Sequence, residues 1–350
     1  MDETVLKWIT GFTFVLTVFV SISLYFLPDV HAWAVLAGEK QIEEERPGGG
    51  GIISTTPEEV VEEEEGLDSQ LKIDLPRELE EDEVRIENDY VTQTVYIRFA
   101  GGVDDYFSEY SIKGSSDHIA ALLYYKDGGD GVIALTLDSV YELSREYDSG
   151  SLFLDFVDPH EVYEKIVVVD AGHGGRAPGA VKMGVAEKDI DLAIALELKK
   201  LFDSEETIGV YYTRLTDKNP TLEQRVQLAN RLDADLFVSI HNNSSATGNF
   251  TNTNGTQVLY SESDTSEHSS KRFAQICQDN VVKALQSRNI GLLDGDDIYI
   301  IRNSKVPVAL IEVGFMTNYE ELDKLKDQQY QAKAAEGFYR AVAEAFEEGY

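Results

Sequence analysis

From residue 165 onward, short runs of apolar residues alternate with longer stretches in which apolar positions recur every three or four residues. Residues 165–170, 209–213, 235–240, 256–260, 299–302 and 308–313 read as strands. Ile190, Ile194, Leu198 and Leu201 mark the apolar stripe of a helix, and further helices are expected over residues 266–287 and 331–347. This alternation predicts an α/β domain over residues 158–350, with an open, mixed, mostly parallel sheet flanked by helices.

Upstream the period changes. Residues 84–88, 94–99, 118–125, 131–137 and 151–157 are short strand-like segments separated by turns such as Gly101-Gly102 and the Gly-rich stretch 127–131. They predict a small all-β domain over residues 84–157, a β-sandwich or a related fold. Tyr90, Tyr106, Tyr110 and Tyr124 either line a face on which sugars stack or complete that domain's core.

Residues 28–83 read as a linker. Between Glu39 and Glu83 lie 17 acidic and 4 basic residues, and Pro47 with Gly48–Gly51 breaks regular structure, so like charges are expected to keep the chain extended. Before it, Trp8 to Leu27 is an uncharged run of 20 residues. As a helix rising about 1.5 Å per residue it is long enough to cross a bilayer core of about 30 Å. That predicts residues 1–7 in the cytoplasm, a single-pass membrane anchor over residues 8–27, and the rest of the chain outside. A secretory signal cleaved after Ala32 is the alternative.

Charge narrows the partners. A formal net charge of −34 offers no basic footprint for nucleic acid. The single cysteine, Cys277, has no internal disulfide partner and lies in an amphipathic helical pattern, which makes it a buried structural thiol.

The chemistry concentrates where strands end. His173 follows the strand over residues 165–170 within Asp170-Ala-Gly-His-Gly-Gly175, and His241 follows the strand Asp235–Ile240. Glu187 opens the first helix, and Glu312 sits in the last strand. Side chains from the carboxyl ends of neighbouring strands meet at one edge of an open α/β sheet. Two imidazoles and a carboxylate are the protein ligands of a hydrolytic zinc site, and a further carboxylate takes a proton from water. There is no His-Glu-x-x-His helix, so the common metalloprotease arrangement is absent. Asp189 and Asp191 compete with Glu187 on spacing alone.

These segments, with Thr213–Asp217, Leu222–Arg225, Ala229-Asn230 and Ala234–His241 between them, resemble the zinc-dependent N-acetylmuramoyl-L-alanine amidases, which cleave bacterial peptidoglycan. The likeness runs over residues 165–346. It implies one zinc ion held by His173, Glu187 and His241, Glu312 as the catalytic carboxylate, and Arg302 as an arginine near the site. It also implies peptidoglycan as the substrate, with the β-domain as a wall-targeting module or a docking point for a protein regulator. Asp170 is expected to receive an imidazole N–H.

Two features depart from the family pattern. Asn242 stands where a small residue is more common, and the segment from Asn243 to Gly255 is too short for a helical plug over the site. The competing functions are another zinc peptidase or deacetylase of peptidoglycan, and a catalytically silent, membrane-tethered wall-binding scaffold.

Overall fold

The structure is a computed structural model, which describes residues 52–63, 67–76, 79, 81–115, 117–148 and 150–350. The Trp8–Leu27 run and the start of the acidic segment lie outside those residues. Among the described residues no helix is long and apolar enough to cross a membrane. Chain contacts separate two compact units. One takes the described residues before Asn88 with Val95–Leu137 and Tyr147–Leu152, and the other takes Asn88–Thr94, Asp138–Glu146 and Phe153–Tyr350.

The first part of the chain forms ten strands: β1 (Ile52–Thr55), β2 (Val61–Glu62), β3 (Leu71–Asp74), β4 (Val84–Asp89), β5 (Thr94–Ala100), β6 (Ile112–Gly114), β7 (Ile119–Asp127), β8 (Asp130–Leu137), β9 (Glu142–Asp148) and β10 (Ser151–Val157). They make two five-stranded sheets, in the orders β1-β7-β8-β5-β4 and β2-β6-β3-β10-β9. Residues 52–62 and 71–74 therefore depart from the extended tether that their charge predicts. Ile52 and Ile53 pair with Tyr125 and Tyr124, and Leu71 and Ile73 are fully buried on alternate positions of β3. The apolar alternation outweighs the repulsion of the flanking glutamates, because each inward side chain leaves water while Glu59, Glu62 and Glu63 stay exposed.

The tyrosines of this region serve packing. Tyr106 and Tyr124 are buried, and their hydroxyls donate to the carbonyls of Asp74 and Val103. Tyr90 belongs to the other unit, where it meets Tyr211 edge-on at 4.9 Å. Tyr110, stacked on Tyr106, and Tyr90 keep partial exposure but belong to different units, so the four residues do not form one sugar-stacking face.

The second unit is built on a six-stranded sheet of β11 (Lys165–Ala171), β14 (Ile208–Tyr212), β15 (Leu236–Asn243), β16 (Thr256–Tyr260), β17 (Asn289–Asp294) and β18 (Val308–Phe315), in the order β14-β11-β15-β18-β16-β17. Strands β14, β11, β15 and β18 run parallel, and β16 turns antiparallel against β18. A two-stranded hairpin, β12 (Val181–Lys182) with β13 (Val185–Ala186), stands apart from it. Among the described residues, the unit's helices longer than four residues are α1 (Glu187–Phe202), α2 (Leu222–Arg231), α3 (Ser270–Leu285), α4 (Tyr299–Asn303), α5 (Tyr319–Leu325) and α6 (Gln328–Glu347).

Both faces of the sheet are covered, which is why β11, β15 and β18 read as continuous apolar runs. Val167, Val169 and Ala171 pack with Ile190, Ile194 and Leu198 of α1, Phe273 and Cys277 of α3 and Phe338 of α6. Ile166 and Val168 face the opposite way, toward Val226 of α2 and Ile300 and Ile301 of α4. Cys277 is buried, and burial pushes its thiol up, as expected of an inert packing residue.

One expected strand is a helix. Residues 299–302 read as a strand from their β-branched pair, but they form α4, whose Ile300 and Ile301 are both buried. The sheet position beside β16 is filled instead by β17, whose Gly291 and half-exposed side chains give only a weak strand pattern.

Candidate metal centre and active site

The site stands at the carboxyl edge of the parallel strands. Beyond Ala171 the chain turns through His173, Gly174 and Gly175, all with positive φ, which throws the His173 ring across the end of β15. His241 ends the regular part of β15, one residue before its register against β18 slips. Glu187 is the first residue of α1, where the free N–H groups and the helix dipole favour a negative charge.

These three side chains meet. His173 Nε2 lies 3.1 Å and His241 Nδ1 3.2 Å from the same oxygen of Glu187, with the two rings nearly perpendicular at 4.9 Å. Ligands that share one tetrahedral ion at about 2.0–2.1 Å are themselves about 3.3 Å apart. The two spacings to Glu187 match that edge length, so the residues fit a shared metal ion. Asp191, one turn along α1, joins the cluster: donor atoms of His173, Glu187, Asp191 and His241 all lie within 4.8 Å of one another. Sequence spacing placed Asp191 beside Glu187 as a rival; the fold brings both inward, because residues four apart share a helix face.

Electrostatics support a cation here. Glu187 is buried, yet the two imidazoles hold its carboxyl well below the usual range. His241, whose burial alone favours the neutral ring, is raised by Glu187, Asp191 and Glu312. Asp191 is wholly buried and raised by that burial and by Glu187. One oxygen of Asp191 has no hydrogen-bond partner, and the other accepts from Asn242 Nδ2 at 2.8 Å. Asn242 also donates its backbone N–H to Glu187, a bond any residue there could make; the departure from the family pattern acts through the side chain, which holds Asp191.

Glu312 is the direct β18 partner of His241. It is not among the converging donors, and its Oε2 is buried with no hydrogen-bond partner. Burial raises its carboxyl to about 7, with His241 lowering and Glu187 adding to the shift. A carboxylate with a buried, unpaired oxygen beside the His241 imidazole is suited to moving a proton.

Two arginines that the sequence offered only as parts of connecting motifs fix the His173 loop. Arg225 donates to Asp170 at 2.5 Å and to the carbonyls of Ala171 and His173. Arg214 donates to the carbonyls of Ala171, Gly172 and Lys188. Asp170 receives Arg225, Thr213 and Ser239 rather than an imidazole N–H, which corrects the role expected for it. Arg302 is not brought into the cluster: it is exposed on α4 and donates to the Asp297 carbonyl. The glycines near the ligands leave them room. A Cβ at Gly172 would stand 2.4 Å from the His241 ring, and one at Gly179 would stand 2.5 Å from Glu187 Oε2. A cavity of about 320 Å³ opens over the two histidines, walled by Ala177, Asn219, Pro220, Thr221, Leu222 and Ile300.

The sequence profile of the N-acetylmuramoyl-L-alanine amidases matches residues 167–344, which span the whole sheet edge just described. The chain belongs to that family. It is similar to YqiI of Bacillus subtilis strain 168, an uncharacterised protein, at 40% identity over 178 residues, 51% of this chain and 83% of that one. Over 178 residues it is 32% identical to the N-acetylmuramoyl-L-alanine amidase LytC of the same strain, covering 51% of this chain and 35% of that one. Among solved structures, the N-acetylmuramoyl-L-alanine amidase of Clostridium difficile 630 aligns at 31% identity and a TM-score of 0.50, covering 53% of this chain and 98% of that one. These likenesses fall on the α/β unit.

Proposed function

We propose that this chain hydrolyses the amide between the lactyl group of N-acetylmuramic acid and L-alanine in peptidoglycan. The observation that carries the reading is the convergence of His173 Nε2 and His241 Nδ1 on one oxygen of Glu187, with the unpartnered Oε2 of Glu312 on the strand position paired with His241. Two imidazoles and a carboxylate are the donor set of zinc in hydrolytic sites, so His173, Glu187 and His241 are its proposed ligands. Zinc bound there supplies Lewis acidity, polarising the amide carbonyl and making water acidic enough to attack near neutral pH. Glu312 takes the proton of the attacking water and returns it to the leaving amine of L-alanine. Arg214 and Arg225 hold the His173 loop still while this happens, and Asn242 anchors Glu187 through its backbone N–H.

The wall substrate places the enzyme outside the cell. We take the Trp8–Leu27 run as the membrane anchor and the β-rich unit as a wall-targeting module or regulator-binding surface. The deciding experiment is mass spectrometry of products after purified peptidoglycan is treated with the full chain. Free stem peptides that begin at L-alanine, with intact glycan strands, are the expected products. Cleavage within the stem, or release of acetate, assigns the site to a peptidase or a deacetylase.

A further inference from the structure

Beyond the metal cluster, the same sheet edge carries an aromatic platform. Phe250 and Tyr319 are stacked with ring centroids 3.8 Å apart and planes within 4° of parallel. Phe250 is partly buried, whereas Tyr319 is 60% exposed, so one face of the pair remains open to solvent. Its position is fixed by the strands that carry His241 and Glu312. The Met316 N–H bonds the Asn243 carbonyl, Ser245 N bonds Thr317 Oγ1, and Thr251 N bonds the Thr317 carbonyl. Glu312 and the strand end at Phe315 are three residues apart, about 10 Å at the rise of a β-strand. The platform thus follows the ends of β15 and β18, the two strands that carry His241 and Glu312, and it is not among the residues that wall the cavity.

The surface around it is unusual for this chain. From Leu236 to Ser261 there is no Asp, Glu, Lys or Arg, in a protein of which 27% is charged. The loop around Phe250 presents amides and hydroxyls instead, with Asn249, Asn252 and Thr253 exposed. Lys182, which reaches this loop, is engaged by the Gly248 carbonyl. A stem peptide bearing free carboxylates finds no charge partner in that loop, and Glu320, exposed beside Tyr319, repels it. A pyranose does, because its face of C–H groups meets the electron-rich face of an aromatic ring while its hydroxyls take hydrogen bonds from side-chain amides.

We propose that the Phe250–Tyr319 platform is a glycan subsite, which binds a sugar neighbouring the muramic residue whose amide is cut. The inference rests on the amidase reading and adds that the enzyme measures the glycan strand as well as the scissile bond.

The test compares two substrates with the same stem, a single N-acetylmuramoyl-peptide and a glycan strand of several sugars, using the full-length protein. Tyr319→Ala is expected to raise KM for the strand about 2–10-fold, the worth of one aromatic stacking contact. KM for the single-sugar substrate and kcat for both should be unchanged. Tyr319→Phe, which keeps the ring and removes the hydroxyl, should behave as wild type. Equal KM values for wild type and Tyr319→Ala on the strand overturn the proposal, as does a KM change that follows stem length rather than glycan length. A wild-type protein that cuts neither substrate overturns the amidase reading itself, and is told apart by the absence of any product before a variant is made.

Discussion

At the residue scale, ligand and proton carrier leave different traces when removed. His173→Ala or His241→Ala deletes an imidazole from a three-donor set, so metal content and activity should fall together. Glu312→Gln nearly preserves the side chain's shape and removes its capacity to accept a proton. Turnover should drop about 10²–10⁴-fold while bound metal, measured by atomic emission, stays near one per chain. Metal loss in Glu312→Gln at the level of the histidine variants would make Glu312 a ligand and reverse the assignment. Gly172→Ala tests how the ligands are held rather than what they are. Its methyl would meet the His241 ring at 2.4 Å, so the ring must move, and metal affinity should weaken by at least about tenfold. Circular dichroism should show the fold retained, since Gly172 touches the ligand and not the sheet core.

At the element scale, the loop after β11 depends on a buried ion pair. Asp170 and the Arg225 guanidinium are both nearly inaccessible and 2.5 Å apart. Burial alone would raise the Asp170 carboxyl; the Arg225 charge, with Thr213, His241 and Ser239, outweighs it and holds the group below its ordinary value. A group lowered by folding stabilises above its unfolded value, about 3.9 for aspartate, and that contribution is lost as pH falls through the lower folded value. Asp170→Asn should therefore cost about 3 kcal/mol in urea unfolding at neutral pH, with the gap to wild type closing only below about pH 3.9. A gap unchanged between pH 7 and pH 3 would assign the loss to packing. The sequence made most of this sheet legible, because β11, β15 and β18 are apolar on both faces and the α1 stripe has a clear helical period. His173, Glu187, His241 and Glu312 were legible as strand-end and helix-start chemistry. Asp191 was legible only as a rival to Glu187, and Arg214 and Arg225 only as parts of connecting motifs, since a buried charge looks like a surface charge until its partners are known. Residues 299–302 misled for the opposite reason: a β-branched pair fits a strand locally, and only the sheet edge already filled by β17 forces a helix.

At the scale of the whole molecule, the acidic segment and the amino terminus make separable predictions. If the chain before Val84 were only a tether, its removal would leave the folded part unchanged. Instead β1 pairs along β7 and β3 buries Leu71 and Ile73, so a protein beginning at Val84 should melt at least about 5 °C below one beginning at Ile52, or aggregate through the exposed β7 edge. Equal melting temperatures would return residues 52–83 to the linker. The Trp8–Leu27 run bears on location instead of stability. Its 20 uncharged residues suffice for a span, and the acidic chain that follows has no basic patch to hold an anionic surface, so any attachment has to come from the run itself. The full chain should sediment with membranes and resist extraction by salt, whereas residues 52–350 should stay in the supernatant. Peptide sequencing of the membrane-bound protein should find an amino terminus before Trp8; a mature chain starting after Ala32 and free in the medium would make the run a cleaved signal, and the enzyme a secreted one.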